Sequence, residues 1–148
     1  MDRDLLSAVP GGPELLDWFG GHAPRLHDAE VLEIILDRRG PVCSIKVHGF
    51  EMTPEVDASG YFVCTRHAVI TFRLDEVTRL ELEDFSHQNA LMGLGVARTA
   101  SGGFCLELDP ANGVSGLVEA QRLEISIAPG IPPGSIYLEA EARRAGMG

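Results

Sequence analysis

The chain has 148 residues, of which 45% are hydrophobic and 23% charged, and these values are typical of one globular domain. A domain of this size needs neither a metal nor a disulfide to stabilise its core. The net charge of −10, from 22 acidic and 12 basic residues, argues against a nucleic-acid binder and against docking on an anionic membrane surface.

The start of the sequence has no basic segment followed by a long apolar run, so we expect no signal peptide. No apolar run approaches the roughly 18 residues of a membrane span. The three cysteines, Cys43, Cys64 and Cys105, fall in apolar strand-like runs and lack metal-site spacing. They predict reduced core thiols in a cytoplasmic protein.

Residues 1–12 predict a loose lead-in to the domain. A short helix is predicted over residues 13–19, because a proline suits its first position and two glycines follow its end. Its apolar side chains share one face and are expected to pack on a sheet. We interpret Trp18, on that face, as a core anchor and not as a platform for a ligand.

Residues 29–37 predict the first strand, in which Leu32, Ile34 and Leu36 alternate with polar side chains. A tight turn leads to a second strand at residues 42–50, so the two strands are expected to form a hairpin.

The outer face of the second strand includes His48. Residues 51–60 predict an exposed loop, and residues 61–74 predict a long strand rich in aromatic and β-branched side chains. Arg66 interrupts the apolar face of this strand, so we predict a β-bulge beside it. His67 is assigned to the outer face.

Asp75 and Glu76 predict a tight connection to a separate strand at residues 77–85. Gln88 and Asn89 belong to the polar break that follows, where amide side chains typically bond the backbone of a turn. Further strands are predicted at residues 90–97, 104–108 and 122–128. Residues 114–121 are ambiguous.

Strands at short intervals with turn signals between them predict a single-domain, mainly β (α+β) fold over residues 1–148. The expected architecture is an antiparallel sheet, either a sandwich or an open barrel, with a short N-terminal helix packed on it. Residues 13–128 form the predicted core. Residues 129–148 are a tail, for which a helix and a frayed end both stay open.

His27, Asp28 and Glu30 are the strongest candidates for chemistry, because these residue types bind zinc or iron. On a strand, however, His27 points away from the two carboxylates, so one face cannot collect all three. We favour a structural role for the segment. A metal-dependent enzyme or small-ligand-binding protein centred on these residues stays an alternative.

Nucleophilic catalysis has no support in the sequence, which has no GxSxG motif. Cys64 and His67 are three residues apart, which places their side chains on opposite faces of a regular strand. We therefore predict no catalytic residue, no cofactor and no metal.

An acidic stripe is the clearest candidate for a partner-binding surface. Five carboxylates occur within ten residues, with Arg79 as the only base among them: Asp75, Glu76, Glu81, Glu83 and Asp84. Such a surface favours association with a basic protein, because complementary charge speeds encounter.

Several segments together resemble the immunity protein 50 family of bacterial polymorphic toxin systems. The similarity covers residues 13–128 and depends on these segments: Leu15-Leu16-Asp17-Trp18-Phe19-Gly20-Gly21, Leu26-His27-Asp28-Ala29-Glu30-Val31, residues 72–85, and Gln88-Asn89 before an apolar strand. The family favours an aromatic residue where this chain has Leu26, a difference expected to affect packing only.

The resemblance implies a non-enzymatic inhibitor that binds a cognate toxin protein and silences it by occlusion. It assigns no role to the family-like residues, and no catalytic residue is carried over. A homodimeric structural domain that pairs through an exposed sheet edge is a further alternative, so both a monomer and a homodimer stay open.

Overall fold

A computed structural model of the chain describes the backbone of residues 1–147 and the side chains of residues 1–138 and 140–142. Its elements in chain order are α1 (Arg3–Ser7), α2 (Gly12–Trp18), β1 (Glu30–Asp37), β2 (Val42–Val56), β3 (Phe62–Glu83), β4 (Ala90–Arg98), β5 (Phe104–Asn112), β6 (Ser115–Pro129) and α3 (Ile136–Met147). No helix in this part of the chain is both long and apolar enough to cross a membrane.

The six strands form one antiparallel barrel in the order β1-β2-β3-β6-β5-β4, with β4 returning to β1. The predicted mainly β fold with a short helix packed on it is therefore confirmed. The barrel closes through a narrow seam, since Glu30 and Ala90 are the only β1–β4 ladder pair among the described residues. The largest wholly buried core side chains include Phe72, Leu15 and Ile45.

The predicted loose lead-in at residues 1–12 is wrong, because this segment contains α1. Asp2 caps the helix by accepting a hydrogen bond from the Asp4 amide at 3.0 Å, and Leu6 is completely buried. Burial of a leucine of this kind stabilises the fold by roughly 1.5–3 kcal/mol. The Pro10 carbonyl also accepts a hydrogen bond from the amide of Ile125 in β6.

The predicted exposed loop at residues 51–60 is largely strand, since β2 continues to Val56 and pairs there with Phe62. The predicted separate strands at residues 61–74 and 77–85 are one strand, β3, which passes through Asp75 and Glu76 without a turn. A register shift and the positive φ of Glu76 bend the strand where the sequence suggested a connection.

The predicted bulge beside Arg66 is confirmed. Gly49 pairs with Ala68 and Glu51 with Thr65, so two β3 residues oppose one residue of β2. Arg66 has a φ of 54°. A second bulge lies in β1, where Leu32 is the extra residue. The sequence predicted that Leu32 faces inward, but Val31 occupies that buried position instead.

The tail left undecided by the sequence contains α3, and residue 148 lies outside the described residues. Tyr137 of this helix packs against the outer surface of the barrel, with its ring centroid 4.7 Å from that of Phe50 in β2. The helix therefore covers part of a sheet face that alternation assigns to solvent.

Candidate functional site

The predicted acidic stripe lies along the second half of β3, and three of its five carboxylates have basic neighbours. Arg73 bonds Asp75 at 3.0 Å, and this hydrogen bond holds the pKa of the Asp75 carboxyl below its ordinary value. The other two contacts join Arg79 to Glu81 at 2.8 Å and Arg122 to Glu76 at 3.9 Å. These three charges are partly neutralised within the chain.

Glu83 and Asp84 differ from the rest of the stripe, because no described side chain forms an ion pair with either. Both are exposed, and both line an open groove of about 240 Å³. The rest of the groove lining is apolar: Ile34, Leu36, Leu82 and Phe85. The groove thus combines two unpaired negative charges with an apolar floor.

Side chains that face the barrel interior are exposed in this groove and on the part of β3 next to it. Leu36 pairs with the buried Cys43, and Leu80 pairs with the buried Val118, so both leucines are on inward faces. Leu36 is nevertheless 56% exposed and Leu80 40% exposed, and Phe85 beside them is 54% exposed. The sheet is unpaired at this point, because β4 begins at Ala90, opposite Glu30, and no described strand pairs with the other edge of residues 33–37.

The strand edges on both sides of the opening lack partners. The β2 ladder on β3 ends at Asp75, and only the hydrogen bond from the Val77 amide to the Pro41 carbonyl follows it. Residues 78–83 therefore pair with β6 alone in the described structure. Residues 33–37 of β1 pair only with β2 in the same way. We call this region, with residues 33–37, 78–83 and the groove between them, the open side of the barrel.

The segment from His27 to Glu30 forms the closing seam. The Asp28 amide donates to the Leu91 carbonyl at 2.9 Å, and the His27 ring lies 3.1 Å from the Met92 carbonyl through Nδ1. His27 also contacts the Asp28 carboxylate at 3.7 Å, with both side chains about half exposed. In the described part of the chain, no group of three or more His, Cys, Asp or Glu side chains is arranged to hold a metal ion.

Asn89 joins its own loop, the turn between β5 and β6, and strand β1 at the same seam. Its side-chain oxygen accepts hydrogen bonds from the amides of Ser86 and Val114, and its side-chain nitrogen donates to the Ser86 carbonyl. Its backbone carbonyl accepts from the Val31 amide at 2.9 Å. The hydrogen bonds to turn backbone that were predicted for the Asn89 amide are present. The backbone carbonyl of Gln88 accepts hydrogen bonds from the Ser86 hydroxyl and the Asn112 side-chain amide, while the Gln88 side chain is exposed.

Trp18 packs partly buried against the core, and its indole Nε1 donates to the Arg66 carbonyl at 2.8 Å. It holds the β3 bulge against α2, which fits the predicted anchor role. It also lines a second groove, of about 570 Å³, that runs between the bulge and α3. Arg66 contributes to this groove and contacts the Glu51 carboxylate at 3.3 Å.

The sequence predicted that His48 and His67 point outward and are exposed, and the predicted exposure is wrong. Both are on the outer side of the barrel, but both are buried beneath Tyr137. The Nε2 atom of His48 lies 3.0 Å from Nδ1 of His67. Burial, followed by the charge of His67, lowers the pKa of His48 to about 4.

The prediction that Cys64 and His67 face opposite sides is also wrong. The bulge inserts one extra residue between them, so both are buried and both line the same groove. The sequence signal for a cover over this pair is the apolar run Ile136-Tyr137-Leu138, which suits the helix that the sequence leaves open for the tail. Burial raises the pKa of Tyr137 to about 12, with smaller effects from Cys64, Asp28 and Glu30.

Comparisons of the chain with protein-family models, with curated proteins and with solved structures gave no match. The resemblance to the immunity protein 50 family therefore stays a prediction.

Proposed function

We propose that the chain is a non-enzymatic immunity protein that binds a cognate bacterial toxin domain and neutralises it by covering its working surface. The observation that carries this proposal is the open side of the barrel. There, the inward-facing Leu36 is exposed beside the unpaired carboxylates of Glu83 and Asp84, and the inward-facing Leu80 is exposed nearby on β3.

This combination suits a protein partner better than a small molecule. Exposed apolar side chains supply the burial that stabilises a complex, and the carboxylates select a basic surface and speed its approach. The groove is open to solvent, whereas small-molecule sites are typically concave and bury most of the ligand. The net charge of −10 extends the same attraction over the whole molecule.

The direct test is co-expression with the toxin domain encoded by the neighbouring gene. We expect cells to survive the toxin only when this chain is present, and we expect the two purified proteins to form a stable complex. A neighbouring toxin that neither binds this chain nor is silenced by it would overturn the proposal.

Reversing the two carboxylates that form no ion pair tests whether the open side of the barrel is the contact surface. The double variant Glu83→Lys, Asp84→Lys is expected to lower the association rate constant with that toxin by about ten-fold or more. The matched control is Glu107→Lys, Asp109→Lys, which reverses two exposed carboxylates on β5. An equal loss in both variants would show that net charge acts alone and that the open side is not the contact.

A further inference from the structure

We propose that the toxin contributes a β-strand that pairs with the free edge of β3 at residues 78–83. The added strand has apolar side chains alternating with lysine or arginine. This inference rests on the proposed function and specifies how the partner is held.

The edge offers a full set of hydrogen-bonding groups for such a strand. β2 ends opposite Asp75, while β6 stays paired with β3 as far as Glu83 and Ser115. In an antiparallel sheet, alternate residues direct their amide and carbonyl groups to opposite sides. Half of the backbone groups of residues 78–83 therefore point away from β6, where the described chain supplies no partner. Six residues match the usual length of a strand.

The side chains along this edge alternate in the pattern that the proposed partner would complement. Leu80 and Leu82 are on the inward face, opposite Val118 and Gly116, and Glu81 and Glu83 are on the outward face. Apolar residues of an added strand would cover the two leucines and continue the barrel wall. Its basic residues would lie beside the two glutamates, and opposite charges across neighbouring strands are stabilising.

The groove beside this edge offers the added strand a second apolar surface. Residues 33–37 of β1 form the other side, and the groove between them is lined by Ile34 and Leu36 from β1 and by Leu82 and Phe85 from the end of β3. A partner strand in this position would bury apolar side chains from both sides. Unpaired edges of this kind are templates for strand addition.

Charge argues against a second copy of this chain as the occupant. Pairing two identical edges would bring together an excess of carboxylates, because Glu81, Glu83 and Asp84 of each copy are accompanied there by one base, Arg79, which already bonds Glu81. Like charges on adjacent strands are destabilising. A basic partner pairs its positive charges with these carboxylates instead, and it also buries the apolar surface of the leucines.

Amide hydrogen exchange tests the inference residue by residue. The ¹⁵N-labelled full chain is compared by NMR alone and with a catalytically inactive form of the neighbouring toxin domain. We expect alternate amides within residues 78–83 to exchange at least ten-fold more slowly in the complex. A complex that leaves those rates unchanged would overturn strand addition and leave the proposed function standing. Absence of any complex would overturn the proposed function, and this inference with it.

A side-chain variant gives an independent readout. Leu80→Glu places a carboxylate on the apolar side of the edge, and we expect at least a ten-fold loss of affinity for the toxin domain. Its melting temperature is measured in parallel, with Glu107→Gln as the control. If Leu80→Glu folds and binds normally, strand addition at this edge is wrong. Concentration-dependent protection of residues 78–83 in the free chain would instead assign the edge to a second copy.

Discussion

His48 and His67 share a buried hydrogen bond, with Nε2 of His48 and Nδ1 of His67 3.0 Å apart. The other ring nitrogen of His67 lies 3.2 Å from the Cys64 carbonyl, which can only accept. In the neutral pair, Nε2 of His67 therefore carries a hydrogen, Nδ1 of His67 accepts, and Nε2 of His48 donates. The β3 bulge thus fixes the tautomers of both rings.

The first prediction concerns the pH dependence of stability. The pKa of His48 is about 4 in the folded chain, against an ordinary value of 6.5, so between these values the unfolded chain binds more protons. The contribution of neutral His48 to the free energy of unfolding is therefore fully present above pH 6.5. It is lost as the pH drops toward 4, and this loss lowers the free energy of unfolding by roughly 2–3 kcal/mol. Urea unfolding at several pH values should show this slope.

His48→Gln is the matched variant, since it removes the titrating ring and keeps a polar side chain. Its free energy of unfolding should depend less on pH between 6.5 and 4 than that of the parent chain. Equal slopes in the two proteins would mean that His48 titrates normally in the folded state.

The second prediction concerns the cover supplied by α3. Tyr137 contacts the rings of His48, Phe50 and His67, with centroid distances of 5.6, 4.7 and 5.3 Å. Tyr137→Ala should admit water to the imidazole pair and raise the pKa of His48 from about 4 toward 6.5. Titration followed by NMR of the histidine ring protons measures this. Tyr137→Phe keeps the ring and should leave the pKa of His48 low.

The third prediction separates Asn89 from its neighbour Gln88. Asn89→Ala removes the acceptor for the Ser86 and Val114 amides at the barrel seam, so we expect a loss of about 2–4 kcal/mol. Gln88→Ala should change stability by less than about 0.5 kcal/mol, because its contacts use the backbone carbonyl. Chemical denaturation of both variants measures the difference, and similar losses would contradict the assigned roles.

The fourth prediction compares two glycines with nearly the same positive φ. Gly113 has a φ of 84°, and an added Cβ would lie 2.4 Å from the Gln88 carbonyl oxygen. Gly102 has a φ of 87°, and nothing lies within 4 Å of its added Cβ. Gly102→Ala should cost about 1 kcal/mol from conformation alone. Gly113→Ala should cost roughly 2–4 kcal/mol because the clash is added.

Thermal melts of these two variants measure the contribution of close packing at the seam. Equal destabilisation would show that Gly113 is required for its conformation only, and that the loop carrying Asn89 can move aside.

Local alternation determined most of the barrel's inner face. The inward positions of Ile45, Phe72 and Leu106 follow from a period of two, which depends only on neighbouring residues. The bulge at Arg66 was also predictable, since a charged residue on an apolar face forces a change of register. At Glu76 the sequence predicts a turn and the structure has a bend within β3, because a bend within a strand and a turn between strands have the same polar signature.

Sequence alone thus determined that this is an antiparallel β domain with an acidic strand, because strand periodicity and charge are properties of adjacent residues. Tertiary contacts alone determine that the barrel closes through the Asn89 seam, that residues 33–37 and 78–83 keep free edges next to this seam, and that α3 buries His48 and His67. These features join segments that are distant in the chain, and the alternation within one strand carries no information about which element covers its outer face.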